Sequence, residues 1–93
     1  MNIYYTDVFT IDLPRGHRFP LQKYRALRDA VTDLGEPDLN LVIPPAVSRE
    51  LLVQVHSPQF VEAVHSGSLS AEQERAIGLP WSRGLVQRSL RSV

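Results

Sequence analysis

Between Leu13 and Pro20 the chain carries Pro14, Gly16 and Pro20 within eight residues, and no regular element can pass through such a run. Proline fixes φ and lacks an N–H, while glycine admits φ > 0. Pro20 suits the start of a helix, where its missing N–H would have had no partner. Leu21, Tyr24, Leu27, Val31 and Leu34 then recur at helical spacing and give that helix one apolar face, with Gly35 and Pro37 as its stop. Upstream, Asn2 to Phe9 is rich in β-branched and aromatic residues and reads as a strand. Its poor alternation at Ile3, Tyr5 and Val8 fits a strand covered on both faces. Downstream, Leu39 to Ile43 is a second apolar run, halted by Pro44-Pro45. Strand, helix, strand is the βαβ order of a parallel sheet, so the predicted class is α/β. A sheet of two strands is too small to stand alone.

After Pro45 the pattern changes to short helices. Ser48 can cap one through Val55, with Leu51, Leu52 and Val55 on one side. Ser57-Pro58 opens another, with Phe60, Val61 and Val64 as its apolar face and Gly67 as its end. Ser70 and Gln73 form a capping-box pattern before Ala71 to Ile77, which Gly78 stops. Pro80-Trp81-Ser82 is a rigid turn. Ser82 opens a last helical pattern through Leu85, Val86, Leu90 and Val93, with no stop signal and no evident packing partner. The 93 residues show no repeat, linker or internal boundary and read as a piece of a larger domain.

An apolar fraction of 43% is ordinary for a folded chain. No cysteine is present, which excludes disulfides and thiolate–zinc sites. Ten basic and ten acidic side chains cancel, so no global field draws the chain to nucleic acid or to a membrane surface. Arg75, Arg83, Arg88 and Arg91 follow the last acidic residue, Glu74, and read as a solvated basic face. No apolar run has membrane-spanning length and no signal core follows the N-terminus, so the expected location is cytoplasmic.

His17, His56 and His65 are the only side chains suited to proton transfer near neutrality or to neutral metal ligation. None pairs at i, i+4, and no His-Glu-x-x-His, nucleophile-elbow, phosphate-loop or dinucleotide pattern occurs. Asp7 and Asp12 lie near the end of the first strand and read as turn or cap residues. His17 lies in a loop that a parallel sheet presents at its ligand edge, where it can serve a ligand or merely bond the loop backbone. Trp81 either lines a pocket or plugs the core.

Four ordered segments carry a resemblance. Leu13-Pro14-Arg15-Gly16-His17-Arg18-Phe19-Pro20, with Lys23-Tyr24-Arg25, resembles the N-terminal signature of the histone deacetylase superfamily, in its bacterial deacetylase-like and class IV branches. Val55-His56-Ser57-Pro58-Gln59-Phe60-Val61 resembles the family's His-Ser/Thr-x-x-Tyr-Val helix start. Gly67-Ser68-Leu69 with Glu74 to Ser82 resembles the segment leading into the substrate-entrance loop, and Leu85 to Ser89 the helix after it.

The resemblance implies the N-terminal part of a three-layer αβα sandwich with a mostly parallel sheet, arginase/deacetylase-like and incomplete in this chain. It implies a zinc-dependent hydrolase of acetyl-lysine or other acyl-amine amides. In that family an Asp-x-His pair and a later Asp hold zinc, an adjacent His pair moves protons and a downstream Tyr or His polarises the carbonyl. None of these motifs occurs here, so no catalytic or metal residue is assigned and no cofactor is expected in this chain, zinc belonging to the full domain. What carries over is peripheral. His17, Arg18, Phe19 and Pro20, with Pro80 and Trp81, match segments bordering the substrate entrance, and Lys23 sits beside an internal cavity. An acylated-amine substrate is expected only with the rest of the domain. The rival reading is a stand-alone interaction module using its open sheet edge to pair with a partner or with itself. A nucleic-acid binder using Arg83, Arg88 and Arg91 is disfavoured by the zero net charge.

Overall fold

Local capping signals set four of the five helices of the chain. In the computed structural model, which describes all 93 residues, β1 (Asn2–Tyr4), α1 (Leu21–Asp33) and β2 (Asn40–Val42) are followed by α2 (Arg49–Leu52), α3 (Pro58–Ser66), α4 (Ala71–Ile77) and α5 (Arg83–Ser92). Ser48, Ser57, Ser70 and Ser82 each accept a hydrogen bond from the backbone N–H three residues on, relieving one of the unpaired donors of each helix start. Gly67 and Gly78 close α3 and α4 in the left-handed conformation, as the sequence predicts. Ser48's helix is shorter than expected, ending at Leu52 and passing into a turn.

The β1–α1–β2 order and its parallel pairing also stand, in the register Asn2↔Asn40, Ile3↔Leu41 and Tyr4↔Val42. The first strand ends at Tyr4 and does not reach Phe9, because the chain turns there. Phe9 N–H donates to Thr6 O at 3.0 Å, and the Asp7 carboxylate accepts from Arg28 Nε at 2.8 and 3.0 Å. Pro20 lies one residue before the helix, with ψ 67°, and offers no side-chain cap.

The three-layer αβα sandwich is not the architecture found. Helix makes up 46% of the chain, and the sheet is two strands of three residues each. A ladder that short has no face wide enough to carry helix layers on both sides. The molecule measures 45 × 35 × 16 Å, whereas three layers stacked ~10 Å apart span ~20 Å between their outer mid-planes alone. The chain is a small, mostly helical slab with a parallel two-strand ribbon at one side.

The slab is loosely filled. Its radius of gyration is 15.3 Å, against ~12 Å for a compact chain of this length. Its accessible surface is 6828 Å², against ~5400 Å² for a compact monomer of this mass. Ile11, Val61, Leu85 and Val86 form the buried apolar core, and Arg88 is buried beside them. Three of these five residues belong to α5, so the helix expected to lack a partner is the most buried one. The reason lies at Gly84. A Cβ there would fall 1.8 Å from Thr10 O, so the loop after β1 lies against the α5 backbone itself. From the other side Val47 N–H donates to Leu90 O at 2.8 Å and Arg91 Nη1 to Pro44 O at 2.8 Å. By contrast α1 buries no residue, and Leu27 and Leu34 on its apolar stripe are each 64% exposed. No helix is long and apolar enough to cross a membrane.

Candidate functional site

The loop before α1 is built on a tight turn. His17 N–H donates to Pro14 O at 3.0 Å, and Gly16, third in that turn, has φ +83°, a value open to glycine and strained for other residues. The turn aims the His17 ring back across the chain. Its Nδ1 accepts from Phe19 N–H at 3.1 Å, which leaves Nε2 to carry the proton toward Gly78 O at 3.2 Å. Both ring nitrogens are thereby engaged by backbone. His17 clasps the loop at 16–20 to Gly78, the C-cap of α4 and the residue before the turn at 79–82; that loop and that turn are the two segments that the resemblance places at a substrate entrance.

Beyond that clasp the predicted residues part company. Phe19 stacks on Tyr24 with centroids 5.9 Å apart and lines a cavity of about 340 Å³ together with Leu79 and Arg88. Arg18 and Pro20 are exposed. Trp81 faces the opposite side: its Nε1–H donates to Val64 O at 2.6 Å and its N–H to Glu74 Oε1 at 2.9 Å. Its ring lies against Gly67, where an added Cβ would be 3.0 Å away. With Pro80 half-buried beside it, Trp81 walls an apolar groove of about 270 Å³ between α3, α4 and α5 and serves the core. Lys23 is exposed, its Nζ 5.3 Å from the Tyr24 ring, and it lines neither space.

Arg88, which sequence reasoning grouped with a solvated basic face, lines the open cavity beside Phe19, while Arg28 and Arg91 line a larger one, of about 440 Å³, against β1. The residue surface of Arg88 is 6% exposed. The guanidinium lies 4.7 Å from the Tyr24 ring centroid, and Nη1 donates weakly to Phe9 O at 3.5 Å. The chain's ion pairs are Arg25–Asp29, Arg28–Asp7 and Arg49–Glu62, so Arg88 has no carboxylate partner. Arg91, one turn on, is used up differently. It lies 4.5 Å over the Phe9 ring while bonding Pro44 O, and its buried Nε has no partner. The signal that could have flagged Arg88 is its position three residues after Leu85, on the apolar side of α5. Arg28, by comparison, is paired: its hydrogen bonds to Asp7 hold the guanidinium above its ordinary pKa.

The residues present do not fit a zinc centre. No three His, Asp or Glu side chains converge, whereas a catalytic zinc takes three protein ligands. His17 is engaged as described, His65 Nδ1 donates to Val61 O at 2.8 Å, and His56 rests near Phe60 with ring centroids 5.8 Å apart.

No family model matches the chain. It is 39% identical over 92 residues to an uncharacterized protein of Picosynechococcus sp.. The match covers 98% of this chain and 30% of that protein, so the chain spans about 30% of the length of the curated relative it matches.

Proposed function

We propose that this chain is the N-terminal portion of a zinc-dependent histone deacetylase-like hydrolase acting on acetyl-lysine or other acyl-amine amides. In this reading it is cytoplasmic and inert by itself. Zinc-assisted amide hydrolysis needs a Lewis acid, an activated water and an oxyanion stabiliser together, and this chain supplies none of the three. Its part is to present the loop at 16–20 and the turn at 79–82 as one edge of the substrate entrance. The observation that carries the reading is the His17 clasp. The loop at 16–20 is tied by His17 Nε2 to Gly78 O, the residue just before the turn at 79–82, which brings two segments that resemble entrance segments next to each other. The length of the relative, of which this chain matches 30%, leaves room for the catalytic motifs elsewhere.

The test is a chimera in which this chain replaces the matching segment of the Picosynechococcus protein. Zinc-dependent release of acetate from acetyl-lysine or acetylated polyamines by both the parent and the chimera is expected. The 93-residue chain alone should show no turnover and, by elemental analysis after dialysis, no stoichiometric zinc. A zinc-loaded parent that cleaves no acyl-amine would overturn the reading.

The exposure of Leu27 on α1, of Leu34 at its C-cap and of Val55 after α2 (79%) favours a second reading. The chain then works as an interaction module that covers these side chains by self-association. Light scattering across a concentration series tests it, and a monomer at all concentrations would sink it.

A further inference from the structure

We infer that the cavity beside Arg88 is a binding site for a small carboxylate. The inference does not depend on the deacetylase reading. Arg88 is only 6% exposed, yet of its five N–H donors one makes a single long contact, to Phe9 O at 3.5 Å. Nε and Nη2 make no hydrogen bond and are not sealed in protein, Arg91 Nε being the sealed and unpartnered nitrogen, so the Arg88 fork keeps free donors that an anion can take up. The Tyr24 face, 4.7 Å from the guanidinium carbon, supplies part of the compensation for its charge. It offers no acceptor for the edge donors.

Those donors have a space to serve. Arg88 lines a cavity of about 340 Å³, within the range of small-ligand sites. Ile11, Phe19, Leu79 and Leu85 give it apolar walls, and Thr6 and Ser89 contribute hydroxyls. No acidic side chain is among its lining residues. One cation among apolar side chains and the hydroxyls of Thr6, Ser89 and Ser92 matches an anion of one charge with an apolar body. The planar fork matches the two oxygens of a carboxylate. A phosphate dianion would call for a second cation, and Arg91, the nearest in sequence, is bound to Pro44 O and does not line the cavity. The carboxylate can be that of a free short-chain acid or of a glutamate side chain brought by a peptide.

The test titrates the 15N-labelled full chain at constant ionic strength with four probes: propionate, its neutral isostere propionamide, N-acetyl-glutamate α-methylamide and inorganic phosphate. Saturable shifts of the Thr10, Phe19 and Leu85 amides are expected with at least one carboxylate. Tighter binding of propionate identifies a free acid as the ligand, and tighter binding of the capped glutamate identifies a side chain. Arg88→Met should weaken the carboxylate at least tenfold, and Arg88→Lys, which keeps charge but loses the fork, by a smaller factor. If either variant fails to fold, the comparison of propionate with propionamide on the unaltered chain decides alone. Propionamide binding as tightly as propionate, phosphate binding more tightly than both carboxylates, unchanged affinity in a folded Arg88→Met, or no saturable shift with either carboxylate overturns the inference.

Discussion

Residues 1–47 and 48–93 are held by different physics. In the second region every helix opens on a serine whose hydroxyl accepts from the backbone, and Val61, Leu85 and Val86 supply most of the buried apolar surface. The first region has the longest helix, α1 with 13 residues, yet that helix has no side-chain cap and no buried residue. α1 is held by side contacts: Arg28 to Asp7, Tyr24 to Phe19, and the Arg88 guanidinium over Tyr24. An amphipathic sequence therefore makes a helix in both regions, but only where an opposing apolar surface exists does it make a core. The two regions meet along α5, where Gly84 lets the loop after β1 touch the helix and Leu90 O accepts from Val47 N–H.

That junction gives the largest expected effect. Gly84→Val would place a branched side chain where Thr10 O already lies, 1.8 Å from the Cβ position. Backbone on both sides must move, so a loss of about 3 kcal/mol or more is expected, the upper end of overpacking costs. The gain in helix propensity over glycine, well under ~1 kcal/mol for a β-branched residue, cannot offset it. Denaturant unfolding measures the loss, and hydrogen exchange at Ile11 locates it. A variant as stable as the parent would mean that the loop after β1 does not lie against α5 at Gly84.

Next in size is Val61→Ala in α3, where the side chain is 5% exposed. Removing two buried methyl groups from a core of four apolar residues should cost about 2 kcal/mol in transfer and cavity energy. An effect below about 0.5 kcal/mol would show that the second region has no packed core and would erase its contrast with the first.

How much of this was legible depended on how far each signal reaches. Caps and stops act within three or four residues, so Ser57, Ser70, Ser82, Gly67 and Gly78 could be read directly from the sequence. The parallel pairing of β1 with β2 was legible as well, because a strand–helix–strand order leaves few alternatives. The first strand was overextended because Asp7 gave no sign that Arg28, 21 residues on, would draw it into a turn. Gly84 and Arg88 were missed for the same reason: each matters only through a residue distant in sequence, Thr10 for one, Phe9 and Tyr24 for the other. The layered sheet failed at the level of assembly. Two correctly placed strands of three residues each do not build the sheet that three layers require. At the candidate site, the loop at 16–20 and the turn at 79–82 could each be read as segments, but not the bond from His17 to Gly78, the residue before that turn.

A smaller effect separates the two roles within that loop. Gly16 has φ +83° with nothing within 4 Å of its Cβ position, so Gly16→Val pays in backbone strain alone, about 1–2 kcal/mol. His17→Ala loses the bonds to Phe19 N–H and Gly78 O, one of them exposed, for about 1 kcal/mol in total. The glycine variant should have the lower thermal midpoint. Equal midpoints would make the clasp, and not the turn, the feature that shapes the loop.

The smallest effect is also the most informative about α1. Leu27 lies at the centre of its apolar stripe and is 64% exposed. If that face meets only water, Leu27→Ala removes little buried surface, and alanine's slightly better helix propensity offsets part of the remainder. The change in unfolding free energy should then stay within about 0.5 kcal/mol, as for surface positions generally. The measurement is made at low and high protein concentration, because self-association through this face stabilises by mass action. A loss near 2 kcal/mol that appears only at high concentration would assign the stripe to an interface between copies. The same loss at every concentration would mean that α1 packs on the slab, and the contrast between the two regions would then have to be withdrawn.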